Sequence, residues 1–107
     1  MSTKPVVVRA AAHNDVLAAI DYYRREASAR VALEFVDAIE RAYQHISRHP
    51  ASGSPRYGQE FDLPGVRVWP VSGFPWLVFY VERTRRMDVL RILHGERDIP
   101  ASLRQQP

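Results

Sequence analysis

The chain contains no cysteine, so disulfides, zinc–thiolate sites and thiol nucleophiles are all excluded. Lysine is nearly absent: Lys4 is the only one, and the other basic side chains are arginines, whose planar fork suits paired contacts to carboxylate or phosphate. No apolar run approaches the ~20 residues of a membrane-spanning helix. The start, Met1 to Lys4, leads into a strand-like run rather than a signal-peptide core, so cytoplasmic residence and no membrane partner are expected. Phosphate-binding glycine loops, a nucleophilic serine motif and a helix-turn-helix signature are missing as well. His13, His45, His49 and His94 form no ligand pair with a carboxylate at metalloenzyme spacing, so neither a metal nor a cofactor is expected.

What is present describes one foldable domain. Its 107 residues fit a single core, with 1–4 and 104–107 expected as loose ends. A 46% hydrophobic and 25% charged composition is that of an ordinary globular chain. The net charge of +3 and basic isoelectric point admit an anionic partner, nucleic acid or acidic protein, without choosing between them.

Pro5 to Arg9 is β-branched and predicts a first strand, whose place in a sheet is not readable. From about Ala11 to Glu26, Val16, Leu17, Ile20 and Tyr23 recur at helical spacing. Ser28 is a suitable cap for a second helix, with Ala32, Phe35, Val36, Ile39, Ala42, Tyr43 and Ile46 as a wide apolar stripe that Pro50 terminates. Two linking residues imply an antiparallel hairpin. The Pro- and Gly-containing stretch from His49 to Gln59 reads as a loop.

Three strand-like runs follow, Val66–Val71, Leu77–Glu82 and Val89–His94, joined by connections short enough for an antiparallel meander. Pro70 cannot donate to a ladder, which predicts an edge strand or a bulge there. Simple alternation puts Leu90, Ile92 and His94 on one face of the last run and Val89, Arg91 and Leu93 on the other. The middle run is apolar on both sides, as in a central strand covered by helices on one face and partly covered on the other. The fold class is α+β, in the order β-α-α-β-β-β.

The order of pieces Leu63-Pro64-Gly65-Val66-Arg67, Phe74-Pro75, Phe79-Tyr80 and Leu90 to Ile99 resembles the ParE-like branch of the RelE/ParE toxin family. Asp15, Ile20, Tyr23, Ala32, Phe35 and Pro50-Ala51-Ser52-Gly53 also fall where such toxins have similar residues. The resemblance implies a bacterial toxin of a type II toxin–antitoxin system, neutralised in a hetero-oligomer by a ParD-like antitoxin. Its ParE side implies poisoning of DNA gyrase by binding, with nucleic acid reached through the antitoxin. Its RelE side implies ribosome-dependent cleavage of messenger RNA. A third possibility is a family member that is no longer toxic and binds a partner only.

Cleavage through the RNA 2′-hydroxyl needs a base, an acid and cations around the phosphorus centre. His94, Arg67 and Arg97 are the residues available for that chemistry. The cluster is incomplete, because Asp98 to Leu103 supply no Tyr, His or Lys, and Asp98 opposes phosphate unless an arginine pairs with it. The preferred expectation is therefore a binding protein, with Arg67, Trp69, Tyr80, Arg91, His94, Arg97, Asp98, Tyr22 and Tyr23 as candidate contacts to target or antitoxin.

Each candidate also has a structural role open to it. His94 can bond within its turn, Arg97 with Asp98 can form an ion pair, Arg67 can anchor a sheet face, and Trp69 and Trp76 can pack. Arg83, Arg85 and Arg86 read as a solvated hairpin turn. Adjacent Tyr22 and Tyr23 lie about 100° apart on a helix, so one of them must sit at the edge of the apolar stripe.

Overall fold

A computed structural model describes residues 3–95. Strand β1 (Val6–Val8) leads into helices α1 (Ala10–Glu26) and α2 (Ala29–Arg48). A 3-10 turn (Pro50–Ser52) and a short helix α3 (Arg56–Glu60) then precede strands β2 (Val66–Pro70), β3 (Trp76–Glu82) and β4 (Met87–His94). The stretch expected as plain loop thus carries two short helical pieces. Each needs only one turn of hydrogen bonds, too short for apolar periodicity to reveal.

The expected cap forms: the Val31 N–H donates to Ser28 Oγ at 3.1 Å. The sheet order is β1-β4-β3-β2, with the meander antiparallel and β1 parallel to β4. β2 is an edge strand, as Pro70 requires. The left-handed turn at Gly73 (φ 83°) connects β2 to β3, a conformation that L side chains resist. Lys4, expected within a loose end, is held: its N–H donates to Ser47 O at 3.3 Å and its ammonium to Glu82 Oε2 at 2.7 Å.

The helical hairpin covers one face of the sheet. Phe35, Ile39 and Ile46 from α2 and Ala12 and Ala19 from α1 meet Trp76, Val78, Tyr80, Met87, Val89 and Ile92 in the main core. Full burial of a large apolar side chain contributes about 1.5–3 kcal/mol, so this layer dominates stability. On the other face Val66, Val68, Phe79, Val81 and Leu93 form a smaller cluster under Tyr57, Phe61 and Leu63 of the α3 region. The partial second cover is what the doubly apolar middle strand indicated.

The face assignment along β4 requires correction. Phe79 pairs with Arg91 and Tyr80 with Val89, leaving Leu90 as an extra residue in a β-bulge. The extra residue reverses the alternation beyond it, so Val89 and Ile92 join the helix-side core while Leu90 and Leu93 join the opposite cluster. The β1 ladder ends at Val89, and beyond it the Ile92 N–H donates to Asp15 Oδ2 of α1 at 2.9 Å. The same carboxylate takes Arg91 Nε at 2.8 Å and Nη2 at 3.0 Å.

Beside it lies the Tyr43 hydroxyl, buried and with no hydrogen-bond partner among the described residues. Burial, followed by the Asp15 charge, pushes that phenol up to about 12. Asp15→Asn is expected to destabilise the fold by about 2–3 kcal/mol, because the Arg91 guanidinium and the Ile92 N–H lose the charged acceptor that joins them to α1. Tyr43→Phe removes only a polar atom already unsatisfied, so its stability should match or exceed wild type by up to ~1 kcal/mol. Reversible denaturant melts of both variants check the opposite signs.

Candidate functional site

Three of the expected contact residues, Arg67, Trp69 and Tyr80, converge on the turn after α2. Tyr80, fully buried on β3, donates its hydroxyl to Pro50 O at 2.8 Å and accepts the Gly53 N–H at 2.9 Å. Burial is the main cause that raises its pKa. Arg67, opposite Tyr80 in the ladder, donates from Nη1 to Gly53 O at 2.8 Å. Gly53 has no room for a side chain, since a Cβ there would lie 2.8 Å from Tyr80 Cε1. Trp69 stacks on His45 of α2, with ring centroids 3.8 Å apart and planes within 13°. His45 Nε2 also bonds Ser52 Oγ at 2.9 Å, and desolvation, then the neighbouring His49, lowers its pKa.

A second group forms at the other end of β3. Tyr23 turns inward, where its hydroxyl accepts the Trp76 indole N–H at 2.9 Å and its ring packs against Phe35 and Phe74. His94 meets the Trp76 ring edge-on, at 5.6 Å between centroids. Tyr22 turns outward and is 46% exposed. The pair divides as the helical geometry demanded. Leu17 (50% exposed) and Leu33 (66%) are further large apolar side chains at the surface of the two helices, beyond the candidate contacts expected from the sequence.

Arg67 and His94 do not converge. Arg67 pairs with Tyr80 and His94 with Trp76, four positions apart on β3, or roughly 13 Å at about 3.3 Å per residue. They line different clefts: one with Pro55, Gly58 and Leu63, the other with Phe74, Trp76 and Leu77. Arg91 is engaged with Asp15 of α1, a partner that no local pattern indicates. Arg97 and Asp98 lie outside the described residues. Among the described residues no group of three or more His, Cys, Asp or Glu is placed to hold a metal ion, and no helix is long and apolar enough to cross a membrane.

The hairpin arginines are more than a solvated turn. Asp88 on β4 is 2% exposed and accepts Arg86 Nε at 2.8 Å and Arg83 Nε at 3.1 Å. The Arg86 hydrogen bond is the chief influence holding its carboxyl below the usual range, with Arg83 and Arg9 adding to it against desolvation. A lone acid within an apolar strand, with arginines two and five residues before it, was the available signal.

The family model described as the ParE toxin of the type II toxin–antitoxin system parDE matches residues 6–99. Among solved structures, one described as the chromosomal ParDE TA system from P. aeruginosa is similar in fold. Its TM-score is 0.74 at 21% identity, over 88% of this chain and 98% of that one. No curated protein matches this sequence.

Tyr80→Phe leaves the Gly53 N–H and the Pro50 carbonyl without their buried partner, and should cost about 2–3 kcal/mol in a denaturant melt. The Asp88 cluster generates a pH dependence of definite sign. A carboxyl whose folded pKa is depressed contributes its full stabilisation above the unfolded value, about 4, and loses it as pH falls through the folded value. Arg86→Gln should lower the melting temperature most near neutrality, and the gap to wild type should narrow below about pH 4. A gap constant down to about pH 2 contradicts the assignment.

Proposed function

Because the family match runs through residues 6–99, the chain belongs to the ParE toxins of type II toxin–antitoxin systems, and on that premise we propose that it acts by binding DNA gyrase rather than by cutting RNA. The observation that carries this reading is the occupation of its strand-borne polar groups by the fold. Arg67 holds Gly53, Tyr80 holds Pro50 and Gly53, and Arg91 holds Asp15. A nuclease needs such groups aimed at one phosphate, with the base within hydrogen-bond reach of the attacking hydroxyl. Arg67 and His94 stand too far apart along β3 to share one.

The antitoxin reading rests on the helical surface. Leu17, Tyr22 and Leu33 are large, exposed and apolar, and an amphipathic segment of a neutralising partner buries such anchors along a helix groove. The cognate antitoxin and the toxin then form a hetero-oligomer, and both act in the cytoplasm, where gyrase is found.

Two assays run together test the proposal. Purified toxin added to gyrase should inhibit supercoiling and accumulate cleaved DNA complexes, while messenger on translating ribosomes stays intact. Unchanged gyrase with cleaved messenger, lost in His94→Ala, assigns the RNA-cutting alternative instead. For the antitoxin, Leu33→Glu should weaken binding by tenfold or more, about 1.4 kcal/mol or above, without lowering the melting temperature of the free toxin. Undiminished affinity in calorimetry removes the helical surface from that interface.

A further inference from the structure

The end of the sheet that holds the β3–β4 turn concentrates the charge of the whole molecule. Five basic side chains, Lys4, Arg9, Arg83, Arg85 and Arg86, stand there with two carboxylates, Glu82 and Asp88. The local excess of three cations equals the formal net charge of the entire chain.

The two carboxylates do not dissipate this field. Glu82 is matched one-to-one by Lys4 at 2.7 Å. Asp88 is buried beneath Arg83 and Arg86, taking their Nε groups while both side chains remain about half exposed. It also draws Arg86 Nη2 at 3.4 Å, and so holds two half-exposed guanidinium forks in place, which removes part of the ordering cost of a new contact. Arg85 between them is exposed and pairs with no carboxylate among the described residues. The turn itself is closed tightly, by Arg83 N–H to Arg86 O at 2.8 Å, so the three arginines are carried on a rigid support.

We infer that this hairpin is a docking patch for the phosphodiester backbone of duplex nucleic acid, contacted directly by Arg83, Arg85 and Arg86. Residues 82–86 read Glu-Arg-Thr-Arg-Arg and include no apolar or aromatic side chain. A protein–protein interface centres its energy on well-packed, desolvated anchors, of which an arginine is one kind among aromatics, whereas a phosphate backbone is bound by arrayed, solvated cations alone. The patch reads no sequence, because it offers nothing to base edges. It departs from the expectation that nucleic acid is reached only through the antitoxin. It does not depend on the gyrase proposal, since free toxin and DNA suffice to test it.

The experiment is fluorescence anisotropy of the full chain with a labelled duplex of about 20 base pairs, between about 0.05 and 0.2 M salt. Three contacted phosphates give a log–log slope near −2.7, or roughly a 40-fold loss of affinity across that range. Arg85→Ala should reduce the slope by about 0.9, and Arg85→Glu should weaken low-salt binding by about tenfold or more. Arg30→Glu is the charge-matched control, on a side chain 87% exposed in the first turn of α2, and should have a much smaller effect. Equal losses from Arg30→Glu and Arg85→Glu reduce the patch to net charge and overturn the inference. Polyglutamate bound in preference to duplex reassigns the site to an acidic protein, and single-stranded RNA bound more tightly than duplex overturns the assignment to a duplex.

Discussion

One carboxylate decides how the two layers of this protein meet. Asp15 reaches from α1 to the bulge in β4 and accepts three hydrogen bonds there, two from the Arg91 guanidinium and one from the Ile92 amide. The bulge places an extra residue, Leu90, in the strand. Without it, Ile92 would face away from the helices and the core would lose one of its fully buried side chains. A backbone N–H beyond the end of a ladder and beside a buried core is unfavourable unless it is satisfied, and Asp15 satisfies it. The helix position, the strand parity and the main core are therefore one linked choice.

A similar economy governs the opposite edge. The chain leaving α2 must turn back under the sheet to begin β2, and the Pro50–Gly53 turn is fixed there by the Tyr80 hydroxyl and the Arg67 guanidinium. Gly53 is required by the closeness of the Tyr80 ring rather than by its own dihedral angles, which are those of extended backbone. At the far end of β3, Trp76 and Tyr23 lock helix to sheet through an indole–phenol hydrogen bond inside an aromatic cluster. In each case a polar group that looks chemically able from its residue type is consumed in holding an element. Such groups are poor catalysts because their donors are already engaged.

The helices, the meander and its edge strand were legible in the sequence because each depends on local periodicity, capping or a proline. The parallel pairing of β1 with β4 was not, since three β-branched residues name a strand but not its neighbour. Nor was the bulge, because strict alternation offers no reason to add a residue at Leu90. That single insertion is why the face assignment of β4 failed while the strand itself was found. Arg91 is visible in the sequence as a candidate contact, but its partner Asp15 lies 76 positions away, beyond any local pattern. The outward surface was readable in part: the Tyr22–Tyr23 conflict could be posed from helical geometry, and packing decided which ring turned in.

The residues divide into two sets with different tolerance to change. Asp15, Gly53, Tyr80, Asp88 and Arg91 each satisfy a partner at a buried or half-buried point, and replacing any of them leaves an unpaired group or a clash. Leu33 and Arg85 project outward from rigid elements, while Leu17 and Tyr22 are about half exposed, Tyr22 with its ring against Tyr23. A similar backbone at 21% identity, as in the ParDE structure from P. aeruginosa, requires that the first kind of constraint be met by some set of residues and leaves the second kind free. Recognition placed on the second set can be retuned to a different partner at little cost to folding, because most surface substitutions away from buried networks move stability by no more than about 0.5 kcal/mol. Catalysis has no such freedom, since it needs several groups held in register on the same strands that carry the core. On this sheet the described polar positions hold the fold, so the outward side chains are where the sequence can change at least cost to the core.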